Sequence, residues 1–174
     1  MTNWNFKWFD KIYKKRNTFL STISWLISNR NFLILFFGFW MLIFLIWRQD
    51  MYLVFKLATN LFFVFAFIKI IIDDIIKKIT YHPRPYLTKT DVLPIGKKEQ
   101  NSTSPSGHTT AVTAVVCVLI FYSPWFMLLL PFIPLIMWSR VYNGMHWPLD
   151  VFFGLIFGLF FANVSFMLTN LIFK

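Results

Sequence analysis

Three short polar clusters interrupt an otherwise apolar chain: Lys77 to Arg84-Pro85, then Pro105-Ser106-Gly107-His108, then Ser139-Arg140 followed by His146 and Asp150. All three histidines of the sequence, His82, His108 and His146, lie in or beside these clusters. Lys77, Arg84 and Arg140 supply fixed positive charge and, in the arginines, forked donors, which is what a phosphoryl group near a low-dielectric boundary requires. Ser106 and Gly107 stand where a loop becomes a helix, so exposed backbone N–H groups and the positive helix end can point at an anion. N-capping by Ser106 uses the same geometry and is compatible with that role. His146 and Asp150 are four residues apart at the start of a helix. That spacing allows a carboxylate to hold one ring nitrogen and leave the other free as a nucleophile. A cationic, histidine-containing site set among apolar helices suits a phosphate on a lipid.

Blander uses of the same residues compete with this one. Basic side chains at a membrane boundary can simply snorkel toward headgroups, and Lys77 can pair with Asp73 four residues before it. His108 and His146 could be interfacial histidines bonded to backbone. Two histidines and an aspartate could also bind zinc, but three nearby cations repel a divalent ion and attract phosphate instead. No metal and no other cofactor is therefore expected.

The elements that must position these clusters are apolar helices. Phe32 to Trp47 is uninterrupted apolar sequence closed by Arg48-Gln49-Asp50, about the length needed to cross a bilayer, for which roughly 17 to 25 residues is the usual range. A second long helix runs from Tyr52 to about Ile76 and ends in Asp73, Asp74, Lys77 and Lys78, two acid-before-base pairs at helical spacing. Residues 81–107 are rich in Pro, Gly, Asn, Ser and Thr and read as a long functional loop. A helix then runs from near His108 to Tyr122, Ser123-Pro124 turns the chain, and Trp125 to Arg140 returns with Pro131 and Pro134 as kinks. The last helix opens at Pro148. Residues 1–30 mix Lys7, Lys11, Lys14, Lys15 and Arg16 with Trp4, Phe6, Trp8, Phe9 and Tyr13. They read as an interfacial amphipathic segment rather than a cleavable signal. The expected architecture is all-α, an integral membrane bundle of five transmembrane helices plus an N-terminal amphipathic or short sixth helix. Its domains are a basic segment, residues 1–30, and a membrane-embedded domain, residues 31–174. Alternating crossings bring all three clusters to one membrane face.

Composition narrows the class further. With 57% hydrophobic residues, 23 Phe and 8 Trp among 174 residues, the chain is far more apolar than a soluble domain of its length. Its formal charge of +10 does not indicate nucleic acid, because the aromatics sit inside apolar runs instead of alternating with the basic residues. Anionic lipid headgroups are the better partner. Cys117 stands alone, which excludes a disulfide framework.

Lys77-x6-Arg84-Pro85, Pro105-Ser106-Gly107-His108 and Ser139-Arg140-x5-His146-x3-Asp150 together resemble the three-part signature of the type 2 phosphatidic acid phosphatase superfamily, which includes bacterial lipid phosphatases and the vanadium haloperoxidases. Any one motif is weak, Pro-Ser-Gly-His especially, but three in order are a strong signal. The resemblance covers about residues 30–172 and implies a membrane phosphatase without metal. In it His146 attacks phosphorus to form a phosphohistidine, Asp150 orients His146, and His108 protonates the departing oxygen before activating water. Lys77, Arg84, Ser106, Gly107 and Arg140 would hold the phosphate. His82 matches no position of the pattern and is assigned to the loop or rim. Among substrates, undecaprenyl diphosphate ranks first, with phosphatidylglycerophosphate or phosphatidate as alternatives. A haloperoxidase-like vanadate enzyme does not suit a chain with this many spans. A non-enzymatic lipid-binding or transport protein would leave the pairing of His146 with Asp150 unexplained. No obligate protein partner is implied. The expected location is the cell membrane with the site extracytoplasmic, as in the family, although a basic N-terminus sharing the site's face would by the positive-inside rule point to the cytoplasm.

Overall fold

The computed structural model describes residues 3–174, which fold into helices with no strand among them. α1 (Asn3–Tyr13) and α2 (Thr18–Ser28) precede the first long helix, α3 (Arg30–Arg48). The next helix, α4, runs without a break from Met51 to Ile79. Its stretch Ile68–Ile76 is wound as a π-helix that ends at the residue before Lys77. A one-turn helix, Pro85–Thr88, lies in the long loop that follows. α5 (Gly107–Tyr122), a 3₁₀ segment Pro124–Leu129, α6 (Phe132–Tyr142) and α7 (Pro148–Ile172) complete the bundle. Pro131 falls at the entry to α6 and Pro134 in its first turn, where a missing N–H costs nothing. The two prolines therefore separate the 3₁₀ segment from the helix, the kink expected from their positions.

Among the described residues four helices are long and apolar enough to cross a membrane: α3, Met51–Ile79, Pro124–Tyr142 and α7. The fifth expected span, α5, falls short of that measure. Its 16 residues rise only about 24 Å, against a hydrocarbon core of about 30 Å. Pro105 and the Ser123-Pro124 turn set its length. Val112, Ala114, Val116, Val118 and Leu119 are all buried, so α5 is the central helix and meets its neighbours rather than lipid. A helix so placed need not match the bilayer thickness.

Contact between α5 and α7 is unusually close. A Cβ added at Gly154 would lie 2.8 Å from the Ser106 carbonyl oxygen, and one at Gly158 would lie 2.6 Å from Thr113 Cβ and 2.8 Å from the Thr110 carbonyl oxygen. Two glycines four residues apart thus let α7 approach the threonine face of α5, the small-residue packing that membrane helices use where no hydrophobic drive separates protein from lipid. Gly158→Val is expected to destabilise the protein by about 1–3 kcal/mol or more, read as a lower midpoint in thermal unfolding of the detergent-solubilised protein. An unchanged midpoint would show that the two helices can separate freely.

α1 and α2 lie at one end of the bundle. Phe6 and Phe9 of α1 each pack on Trp147 with ring centroids 4.9 Å apart, and Asn5 Oδ1 accepts from the Leu149 N–H at 3.1 Å. Meanwhile Trp4, Lys7, Trp8 and Lys11 face outward. α2 has 11 residues, about 16 Å of rise, too little to span. Both its ends meet the C-terminal end of α6. The Asn17 N–H donates to the Tyr142 hydroxyl at 3.0 Å, and Asn143 donates to Ser28 Oγ at 2.7 Å. α2 therefore lies across the bundle end, and the basic N-terminal residues share that end with the three polar clusters.

Candidate active site

The end of α2, the start of α3, loop residues 95–99, the start of α5 and the end of α6 line a cavity of about 230 Å³. Its polar wall is made by Arg30, Lys97, Glu99, His108 and Arg140, with Met145 from the turn before α7. The remaining predicted residues are tied to this wall one by one. Arg84 is wholly buried, with Nη1 3.5 Å from His146 Nε2. Lys77 pairs with Asp73 at 2.8 Å, the contact expected from their spacing, and its Nζ also lies close to Gly107, 3.6 Å from where a Cβ would stand.

His146 is held in the turn between α6 and α7 by its backbone N–H, which donates to the Arg140 carbonyl at 3.2 Å. Its Nδ1 is 2.8 Å from the Thr103 carbonyl oxygen. A carbonyl can only accept, so Nδ1 carries the proton and Nε2 presents a lone pair toward Arg84. Burial, followed by the positive charges of Arg140 and Arg84, holds the His146 pKa well below its ordinary value. The ring is therefore neutral at physiological pH, the state in which Nε2 can act as a nucleophile.

Asp150 does not hold the ring directly, contrary to the expectation from its spacing. Its Oδ2 is 3.9 Å from His146 Nδ1, beyond hydrogen-bond reach. Instead it accepts from the Thr103 hydroxyl at 2.7 Å and from the Trp147 N–H at 2.7 Å, capping α7. Thr103 Oγ1 in turn lies 3.1 Å from His146 Nδ1. The carboxylate thus orders Thr103 and the first turn of α7, and Thr103 holds the imidazole with both its carbonyl and its hydroxyl. The physical reason is the loop: residues 102–105 enter between α6 and α7 and take the place beside Nδ1 that a bare i,i+4 pair would give to Asp150.

Ser106 caps α5, with its Oγ accepting from the Thr109 hydroxyl at 3.1 Å, and its own N–H donates to the Asp150 carbonyl at 3.0 Å. The Gly107 and His108 N–H groups open α5, where no intrahelical acceptor exists, and among the described residues no other protein acceptor meets them. Arg140 is buried with its Nε unpartnered. Of these groups the His108 imidazole, unbonded among the described residues, and Arg140 line the cavity, while the His146 nitrogen, Arg84, Lys77 and the start of α5 adjoin them. That set can bind a tetrahedral anion and attack it. His82 is exposed and takes part through its backbone, its carbonyl accepting from the Thr103 N–H at 2.9 Å.

The model of the PAP2 superfamily matches residues 57–173 of the chain, all of α5, α6 and α7 and most of α4. The chain belongs to the PAP2 superfamily. Over 112 residues, 63% of the chain, it is 31% identical to an undecaprenyl-diphosphatase of Sulfolobus acidocaldarius, and the matched stretch spans 54% of that relative's length. Among solved structures it is similar to LpxE of Aquifex aeolicus, with a TM-score of 0.75 at 24% identity, covering 95% of this chain and 96% of that one. It is also similar to a transmembrane PAP2-type phosphatidylglycerolphosphate phosphatase of Bacillus subtilis, with a TM-score of 0.70 at 20% identity, covering 97% and 88%. At such identities the two structures share the fold. The PAP2 fold accounts for the bundle end on which every cluster meets.

Sequence reasoning missed Thr103, Glu99 and Asn101. Thr103 sits two residues before Pro105 in a Ser-Thr-Ser run, and hydroxyl residues that close to a helix start are a signal of side-chain to backbone bonding. Glu99 and Asn101 carried no signal, because nothing in residues 86–101 repeats or alternates. Thr103→Val keeps the carbonyl but removes the hydroxyl between Asp150 and His146. Turnover is expected to fall about tenfold to a hundredfold with KM little changed, checked by steady-state kinetics. An unaltered kcat would exclude the hydroxyl from positioning the ring.

Proposed function

We propose that this PAP2 protein is a membrane lipid phosphatase that removes the terminal phosphate of a polyprenyl diphosphate, undecaprenyl diphosphate first, through a phosphohistidine and without metal. The observation that carries this reading is the neutral His146 with Nε2 beside Arg84 and the buried, unpartnered Arg140. The Nε2 lone pair attacks phosphorus as the bond from phosphorus to the leaving oxygen breaks, and His108, made imidazolium by a proton taken up with the phosphate anion, gives that oxygen its proton and becomes neutral. His108 then takes a proton from water, whose oxygen attacks the phosphohistidine. The P–N bond breaks, and inorganic phosphate and neutral His146 return. Lys77, Arg84, Arg140, Ser106 and the N–H groups at Gly107 hold the phosphoryl oxygens. Asp150 acts on His146 through Thr103.

Two features support a diphosphate. The curated relative at 31% identity is named for undecaprenyl diphosphate, and the cavity wall adds Arg30 and Lys97, neither with an acidic partner within 4.0 Å among the described residues. Those two cations suit the phosphate that stays on the lipid. In this reading residues 31–174 form the phosphatase and residues 1–30 a basic segment lying along the membrane interface. The protein is multi-pass, and we place its site on the extracytoplasmic face, as the family resemblance implies, setting aside the basic N-terminus on the same face because Lys and Arg that serve the phosphate inflate the positive count there.

The test is phosphate release by purified protein from polyprenyl diphosphate, polyprenyl monophosphate, phosphatidate and phosphatidylglycerophosphate, each in excess EDTA. Fastest release from the diphosphate is expected, undiminished by chelator and inhibited by vanadate. In the Arg30→Ala and Lys97→Ala double variant the preference for diphosphate over monophosphate should fall about tenfold. Activity that vanishes in EDTA and returns with Mg²⁺ or Zn²⁺ would overturn the metal-free route, and no release from any of the four would overturn the phosphatase itself.

A further inference from the structure

Arg84 has five N–H donors, and the protein already meets its three nitrogens. Nε donates to the Asn101 carbonyl at 3.3 Å, Nη1 to the Met145 carbonyl at 3.2 Å, and Nη2 to Asn101 Oδ1 at 2.6 Å and to the Glu99 carboxylate. Four of the five N–H groups are thereby taken and the fifth, on Nη1, faces His146 Nε2 at 3.5 Å, so for a phosphoryl group to bond both arms of this guanidinium a partner must leave. Two of the partners are backbone carbonyls, fixed by the chain, and the Asn101 amide shares its residue with one of them. The Glu99 carboxylate differs. Its side chain is 40% exposed while that of Arg84 is 1% exposed, and Glu99 lines the cavity with Arg140 and His108.

The Glu99 backbone is nonetheless fixed. Its N–H donates to the Tyr86 phenol oxygen at 2.9 Å, and that phenol donates back to the Glu99 carbonyl. Around it the loop is fastened by Lys89 to Asp10, by Arg16 to the Leu93 carbonyl at 2.6 Å and by the Ile95 N–H to the Asn143 carbonyl at 2.9 Å. Only the side chain is therefore at liberty to swing, and it can do so without the loop opening. The carboxylate holds Nη2 of Arg84 through one oxygen while Nη1 faces Nε2 of His146, so Glu99 occupies the arm that a phosphoryl oxygen would need for a two-armed bond to the fork.

We propose that Glu99 is an internal competitor for the phosphate site: its carboxylate occupies the Nη2 arm of Arg84, yields it to the phosphoryl group of the substrate, and retakes it to expel inorganic phosphate after the phosphohistidine is hydrolysed. This rests on the reading of the cavity as a phosphoryl site. The competition lowers affinity for every small anion. A lipid phosphate offsets the loss with the burial of its tail, whereas free phosphate has no such compensation. Glu99 thus sets specificity for the lipid-bound over the free anion and speeds release of the product.

The test compares wild type, Glu99→Gln and Glu99→Asp for competitive inhibition by inorganic phosphate, with the fold of each checked by thermal unfolding. Gln keeps the size and one acceptor but removes the charge that competes. Its inhibition constant for phosphate is expected to fall at least about tenfold, with a lower KM for lipid substrate and a slower post-burst rate in a stopped-flow phosphate assay. Asp keeps the charge on a shorter stem and should fall between the two. If Glu99 serves only to order Arg84, Glu99→Gln will bind phosphate no more tightly than wild type while losing turnover or thermal stability, and either result overturns the proposal. A wild-type protein that neither hydrolyses lipid phosphates nor binds phosphate or vanadate would instead overturn the phosphatase reading beneath it.

Discussion

His146→Ala is expected to abolish phosphate release, by at least about 10⁴-fold, while leaving the helical bundle folded. Removing a covalent nucleophile forfeits a reaction route, not a share of binding. The ring also contributes little that the fold requires. Its backbone N–H, not its side chain, closes the turn onto the Arg140 carbonyl, and Asp150 keeps its bonds to Thr103 and to the Trp147 N–H when the imidazole is gone. Vanadate affinity should fall far less than turnover, since Lys77, Arg84, Arg140 and the helix start remain. Asp150→Asn should be less severe, because the Thr103 carbonyl still holds Nδ1 at 2.8 Å without it. The decisive measurement is single-turnover phosphate release by His146→Ala protein with a native unfolding profile. Substantial release would rule out a phosphohistidine.

The contrast between His146 and Asp150 shows what the chain made legible and what it did not. Helix ends were readable wherever Pro, Gly or Ser-Pro stops a run of apolar residues, and so the convergence of the three clusters followed from alternating crossings alone. Lys77 to Asp73 and Lys78 to Asp74 were readable too, because an i,i+4 pair lies within one helix and needs no tertiary knowledge. His146 and Asp150 have the same spacing, yet a loop 43 residues away in sequence comes between them at Thr103. No local rule could place that loop. The short α5 illustrates the same limit in the core. Its apolar run resembles the outer helices, and only the bundle shows that most of its faces are buried against protein. Likewise the glycines of α7 announced a close approach only once the threonines of α5 were known to lie opposite them. Local chemistry was therefore legible and non-local company was not, which is why Arg84 was recognised as an anion ligand while Glu99, the anion that meets it, was not.

Replacing His108 should divide substrates by their leaving groups. His108 lines the cavity from the first turn of α5, and His146, before the first residue of α7, turns Nε2 toward Arg84; with the phosphoryl group held by Arg84 and Arg140, one ring would protonate the departing oxygen as the other attacks. A general acid contributes about 10²–10⁴-fold where the leaving group is a strong base. His108→Ala should therefore lose that factor on a lipid monophosphate, whose alkoxide cannot depart unprotonated. On a polyprenyl diphosphate, which expels a phosphate, the loss should be smaller, and on p-nitrophenyl phosphate it should be about tenfold or less. His146→Ala should show no such gradient, because a missing nucleophile is missed equally by every substrate. Single-turnover rates on the three substrates, taken so that bond cleavage is the step observed, give the comparison directly. Equal losses across them for His108→Ala would remove His108 from the acid role, and a gradient in the His146 variant instead would mean that the two histidines exchange tasks, with attack coming from the α5 side of the cavity.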